Sequence, residues 1–192
     1  MAGLGRSVKG EVHPYLELAR RAVRLTALGQ DPFRHLDPRE YAEMAEMTIK
    51  RGCFVSIRML PTGELRGCIG TIRPTRKNLW EEIVANAAAA ASKDPRFTPL
   101  GPDEVEKCRV SVDILDEPSP VRDLSELDPS VFGVIVEKAG RRGVLLPDLD
   151  GVDSVEQQLS IAMRKAGIGS LDGVRIFRFK VLRFSEGKPE KD

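Results

Sequence analysis

An α+β fold with a mostly antiparallel sheet is what this sequence predicts, and three observations carry it. Two apolar, alternating runs joined by a Pro-Thr-Gly-Glu turn are followed by an alanine-rich helical run and then by another alternating run. The same order recurs further along, with Arg66-Gly67 answered by Arg142-Gly143 and Asn78 by Ser154, both 76 residues apart. At 192 residues and 41% apolar, the chain can bury one sizeable core. Two hairpin–helix–strand halves then imply one mostly antiparallel sheet, barrel-like if it curls far enough, with helices packed outside. On this reading residues 1–192 are a single domain. The first half covers about 51–116, a linker 117–130 and the second half about 131–184, with flexible tails at 1–10 and 185–192.

The elements follow in order. Pro14 to Leu28 predicts a helix, because Tyr15, Leu18, Ala22 and Leu25 share a stripe, Pro14 suits the first turn and Gly29 the stop. Residues 30–38, with two prolines, read as a loop. A second helix is expected over 39–50, where Tyr41, Met44 and Met47 stand three apart as core filler. Cys53–Arg58 and Leu65–Ile72 form a hairpin around Pro61-Thr62-Gly63-Glu64. Asn78 caps a helix from Leu79 to about Lys93, with Glu81 and Glu82 in the first turn, where the helix dipole favours them. The five alanines Ala87 to Ala91 let that helix lie close on a sheet. Cys108–Leu115 closes the half. In the second half, Val131–Glu137, a turn at Gly140, Gly143–Leu146, a helix capped by Ser154 and a closing strand Val174–Phe184 repeat the pattern.

Composition argues against several functions without excluding a local basic pocket. Lys+Arg 30 against Asp+Glu 29 leaves a net charge of +1, which gives no reason to expect nucleic acid or an anionic membrane as partner. No apolar run of transmembrane length appears, and nothing at the N-terminus resembles a signal peptide, so a cytoplasmic location is expected. Cys53, Cys68 and Cys108 are odd in number and widely spaced, which fits reduced thiols. No zinc, P-loop or dinucleotide pattern is present, so neither metal nor cofactor is predicted.

The chemistry concentrates at Arg66–Thr71. By strand alternation Arg66 and Cys68 share a face, about 7 Å apart. Gly67 and Gly70 leave the backbone open to close approach. A guanidinium beside a thiol can make it nucleophilic, whereas a two-residue turn would set Cys68 opposite Ile57, among Val55 and Met59, as an inert packing residue. Arg142 answers Arg66 and could share a cleft with it as a forked anion site, with Asp94 and Arg96 at its edge. Asn86, a poor helix former inside an alanine-rich helix, is expected to reach a backbone group on the sheet, or alternatively a ligand. The histidines, His13 and His35, precede both halves, so no Cys–His pair is evident.

Leu65-Arg66-Gly67-Cys68-Ile69-Gly70-Thr71 resembles the signature of the AMMECR domain family. Asn86 with its alanines, Asp94-Pro95-Arg96-Phe97, Gly140-Arg141-Arg142-Gly143 and Arg164-Lys165-Ala166-Gly167 fall in the family's order, so the resemblance spans about 11–184. It implies a duplicated α+β fold with a larger and a smaller lobe and the signature near a cleft between them. It also implies a pathway shared with Memo-like and radical-SAM proteins. Met163 stands where many prokaryotic relatives place a cysteine. The resulting expectation is a module binding an anionic small molecule or modified residue through Arg66, Gly67, Gly70, Thr71, Asn86, Arg96, Arg142 and Lys165. The alternatives are an enzyme using Cys68 as nucleophile or redox thiol with Asp94, and a partner-docking scaffold.

Overall fold

The computed structural model describes residues 12–187. The chain forms two compact units: one of the residues up to Ile114 together with those from Arg183, the other of Leu115–Leu182. Of the tails expected to be flexible, residues 1–10 and 188–192 lie outside the described residues. Glu186, by contrast, accepts the Val110 N–H at 2.7 Å and pairs with Arg20 at 3.3 Å.

In the first unit, α1 (Pro14–Ala27) starts where the His13 ring accepts the Tyr15 N–H and ends at Gly29, whose φ of +73° suits the absence of a Cβ. The predicted loop holds a short helix, α2 (Pro32–His35). The helix expected over 39–50 is absent. Two 3-10 turns, Pro38–Tyr41 and Ala45–Thr48, take its place, with extended backbone at Met44 between them. The spacing held the reason: residues three apart stay aligned at 3.0 residues per turn but drift around an α-helix.

Next come β1 (Cys53–Met59), β2 (Leu65–Thr71), α3 (Leu79–Ser92), the single-turn α4 (Pro102–Val105) and β3 (Cys108–Leu115). With β8 (Val181–Ser185) they build an antiparallel sheet in the order β2-β1-β3-β8. Cys53, Val55, Ile57, Val110 and Val112 are fully buried on one face of it. That burial contributes about 1.5–3 kcal/mol for each large side chain. Helix α3 lies on this face, and Gly67 lets it approach: a Cβ there would collide with the carbonyl oxygen of Ala90.

The second unit repeats the plan. β5 (Gly133–Lys138) and β6 (Arg141–Leu145) form a hairpin around Ala139 and Gly140, both at positive φ. α5 (Val155–Lys165) follows, and β7 (Arg175–Phe179) pairs with β5 as β3 pairs with β1. With β4 (Ser119–Pro120), which lies in the predicted linker, the order is β4-β7-β5-β6. Asn78 and Ser154 are the matching N-caps, accepting the N–H of Glu81 and Gln157. Gly143 repeats the role of Gly67, because a Cβ there would strike the carbonyl oxygen of Ala162.

The α+β class, the antiparallel pairing and the duplication are as predicted, but the strands do not close into a barrel. They form two four-stranded sheets, because the expected closing strand 174–184 divides at Lys180. Its first part joins β5 in one sheet and its second part joins β3 in the other.

Gly67→Ala and Gly143→Ala should each destabilise the protein by about 1–3 kcal/mol through forced separation of helix and sheet. Gly169→Ala, with open space around it and no positive φ, serves as the control. Urea midpoints for the first two that match the control would contradict the close-approach role.

Candidate functional site

The hairpin register departs from the two-residue turn. Met59 and Glu64 enclose a longer loop, with Gly63 donating to the Met59 carbonyl at 2.8 Å, and a bulge follows where Ile57 pairs with Gly67 but Arg58 pairs with Leu65. Arg66 is the extra residue. Cys68 therefore faces Ser56, not Ile57. A one-residue slip exchanges the faces of a strand, so Cys68 leaves the aliphatic side for the opposite one. Leu65, paired with Arg58, leaves the face of Ile69 and Thr71 for the same reason.

On that face, turned away from α3, cross-strand partners form three rows. Cys68, Ser56 and Ser111 make the central row, and the Ser56 hydroxyl donates to the Cys68 sulfur at 3.2 Å. Gly70, Phe54 and Asp113 make the next; a Cβ at Gly70 would overlap the Phe54 ring, so the glycine gives that ring its place beside Cys68. Arg58 and Arg109 pair at the far end. Asp113 is ion-paired with Arg183 at 2.8 Å, yet burial dominates and holds its carboxyl above the usual range.

β2 is an edge strand, and its outward main-chain groups at Cys68 are capped by side chains. Asp94, buried at 4% exposure, accepts the Cys68 N–H at 2.8 Å, while Arg96 donates to the Cys68 carbonyl at 3.4 Å and to both Asp94 oxygens. The pair acts as a miniature partner strand, closing an edge that would otherwise be open to pairing. Hydrogen bonds from Arg96 are the main reason the Asp94 carboxyl sits well below the usual range. Arg66 closes the same edge further along. Its guanidinium binds Glu104 through two bonds at 3.0 Å and the Thr98 carbonyl at 2.9 Å.

On the α3 side, Asn86 donates to the Cys53 carbonyl at 3.0 Å and to Thr71 at 3.2 Å, the backbone contact expected of it. Beside it stands a residue that pattern reasoning gave only a dipole role. Glu82 is fully buried and accepts from Thr71, from the Thr75 and Arg76 N–H groups at 2.8 Å each, and from the Thr75 hydroxyl at 3.1 Å. It fixes the loop that follows the signature strand. Its signal in the sequence was the 76-residue offset, which pairs it with Gln158, equally buried. Ser56 and Glu104 were also missed, because only the register and the fold bring them to Cys68 and Arg66.

The candidate residues thus separate. Arg66, Gly67, Cys68, Gly70, Thr71, Asn86, Asp94 and Arg96 come together in the first unit. Arg142 and Lys165 belong to the second. There Arg142 pairs with Glu137, which also holds Arg175 at 2.9 Å, and Lys165 donates to the Val144 carbonyl at 3.3 Å. Of the cysteines, Cys53 and Cys108 are buried and Cys68 is not. Burial pushes the Cys53 thiol up to about 12 and raises that of Cys108. His13 stacks on Phe184 at 4.1 Å, and His35 closes α2. Among the described residues no three His, Cys, Asp or Glu side chains converge as a metal site, and no helix is long and apolar enough to cross a membrane.

Comparison with known proteins gives the family and matches the fold. The family model described as AMMECR1 matches residues 16–184. The chain belongs to the AMMECR1 family. A Thermotoga maritima protein is 48% identical over 90% of this chain and 97% of its own length. A Clostridium acetobutylicum protein is 44% identical over 94% of this chain, which spans only 37% of that longer relative. A solved structure from Pyrococcus horikoshii, described as an uncharacterized protein, superposes with a TM-score of 0.79 at 28% identity, covering 91% of each chain. Within the matched region, β2 is the strand whose edge Asp94, Arg96 and Arg66 close.

Asp94→Asn should cost about 1.5–3 kcal/mol at pH 7, the range for hydrogen bonds to a charged group. The folded carboxyl titrates below its unfolded value of about 3.9, so its contribution is complete above roughly pH 5 and is lost as pH falls through the folded value. The stability difference between wild type and variant, measured by urea unfolding, should shrink steadily below pH 4. A constant difference down to pH 2 would rule out the charged clamp.

Proposed function

We propose that this AMMECR1-family protein is a cytosolic binding module whose site is the sheet face around Cys68, taking an anionic small molecule or a modified residue. The observation that carries the reading is the contrast at residue 68. Its main chain is fixed by Asp94 and Arg96, while its side chain stays half-exposed beside Ser56 and Ser111. A contact group on a rigid strand, supported by a second layer of hydrogen bonds, is what a preorganised site requires. In this reading Arg66 and Arg96 support the site, because their guanidinium groups are taken up by Glu104, Asp94 and main-chain carbonyls. The cations placed to meet an anion on this face are Arg109 and Arg58, the latter giving a single bond to the Gly63 carbonyl at 3.0 Å and no ion pair among the described residues, and Phe54 supplies an apolar wall.

A second reading is thiol chemistry, with Cys68 as nucleophile or redox group. It is favoured by Cys68 being the cysteine of the three that is not buried, with the Arg96 guanidinium bonded to its main-chain carbonyl at 3.4 Å. Work alongside Memo-like and radical-SAM proteins fits either reading. A longer relative that carries this domain as 37% of its length supports an attached working partner.

Cys68 should alkylate at least tenfold faster than Cys53 and Cys108, read by peptide mass spectrometry across pH. Arg58→Ala and Arg109→Ala should each abolish thermal stabilisation by whichever member of a phosphometabolite and nucleotide panel stabilises the wild type. Equal alkylation of all three thiols would sink the exposed-site reading. A fast Cys68 with no stabilising ligand would move thiol chemistry to the front.

A further inference from the structure

In the first unit the flank of α3 beside its sheet-facing residues Glu82, Asn86 and Ala90 is covered by other helices. Trp80, Val84, Ala87 and Ala91 lie on that side of the helix and are all buried. They share one core cluster with α1, and Phe33 of α2 meets Trp80 edge-on at 6.0 Å. α3 therefore meets the sheet on one flank and covering helices on another. The second unit repeats the sheet and the helix but has no counterpart of α1 between Leu115 and β5, where the chain forms only β4 and the 3-10 turn Leu124–Glu126.

The 76-residue offset identifies what is left open. Trp80, Val84, Ala87 and Ala91 correspond to Glu156, Ser160, Met163 and Gly167, and all four of these line a groove of about 850 Å³ along α5. Leu159 and Ile168 are buried in its floor, while Leu124 and Leu171 stand on its rim, each 45% exposed. The rim is charged at both ends of the helix, with Glu156 in the first turn and Arg164 in the last. An apolar floor and lip with charge at both ends of the helix match the apolar core and polar rim of a protein–protein interface.

We propose that this groove docks an amphipathic helix of a partner protein, in the position that α1 takes on α3. The occupant is defined by the groove. α5 has 11 residues, about 16 Å of helix, so three to four turns of partner helix match it. An apolar stripe at i, i+3, i+4 and i+7 would meet Leu159, Met163 and Leu171. A basic residue would face Glu156 and an acidic one Arg164. This inference is independent of the site at Cys68, because every groove residue belongs to the second unit.

The test places a benzophenone side chain at position 160 of the full chain, in the cells that naturally produce it. Position 77, exposed in the first unit, carries the same group as the control. Mass spectrometry then maps the crosslinked residues. The expected result is a crosslink specific to position 160, into the apolar stripe of a helical segment of another protein. A synthetic peptide of that segment should bind the purified full chain and weaken at least tenfold with Leu171→Glu. Arg164→Glu should weaken it too, and a peptide with its facing acid changed to lysine should restore binding. Leu171 and Arg164 are exposed, and unchanged thermal melts of both variants exclude misfolding as the cause. The proposal is overturned by a crosslink to a second copy of this chain, to lipid, or to a strand or loop. No crosslink above the control, or peptide binding indifferent to Leu171→Glu, overturns it equally.

Discussion

The first unit depends on how closely α3 can lie on its sheet. Gly67 removes the side chain that would strike the Ala90 carbonyl, and the alanine run removes bulk from the other partner. Once the two backbones approach, shorter reaches become possible. Asn86 crosses to the Cys53 carbonyl, and Glu82 gathers Thr71, Thr75 and the Arg76 N–H around one carboxylate. A buried carboxylate is costly unless its oxygens are satisfied, and here hydroxyl and backbone donors do so. The strand that carries Cys68 and the loop beyond it are therefore held from the helix side by polar contacts that a bulkier residue at 67 would pull apart.

The second unit shows the same constraint with different chemistry. Gly143 lies under Ala162 as Gly67 lies under Ala90. Where the first unit has Glu82, the second has Gln158, equally buried, donating to the Phe132 carbonyl at 2.8 Å. Its Oε1 finds no partner among the described residues. The backbone geometry has been kept while the polar network has diverged. Close approach is thus a requirement of the fold, and the Glu82 network is a particular use of it.

Much of this was legible in the sequence because local rules set it. Helix starts at Pro14, Asn78 and Ser154, the stop at Gly29 and the turn at Gly140 follow from capping and from positive φ, which depend on neighbouring residues only. The constant offset conveyed the duplication without identity between the halves. What failed depended on distant partners. The bulge at Arg66 shifts the register by one, and no local pattern distinguishes it from a regular hairpin, so Cys68 was given the wrong neighbours. The helix expected at 39–50 is the exception, because its three-residue spacing already suited the 3-10 turns that form there. The division at Lys180 was invisible because β7 and β8 are each apolar enough to continue one strand. Asp94, Arg66 and Arg96 were recognised as important, but their roles turn on Glu104, Thr98 and the Cys68 main chain, which only the fold brings within reach.

In β2 the contacts of the main chain at residue 68 can be separated from those of its side chain. Asp94 and Arg96 bond to the main chain of residue 68, so the edge clamp is indifferent to which side chain that residue carries. The duplicated copy keeps the carbonyl half of this clamp. At the position offset by 76 residues stands Val144, also on an edge strand, and Lys165 caps its carbonyl in place of Arg96. Arg142 and Gly143 precede it as Arg66 and Gly67 precede Cys68. The copy keeps the glycine approach and the carbonyl cap with valine at this position, but without the bulge, its register being regular from Val134 to Lys138. What the Cys68 side chain itself contributes is on the sheet face, where it accepts the Ser56 hydroxyl beside Phe54, while the strand's backbone is fixed from both sides without it.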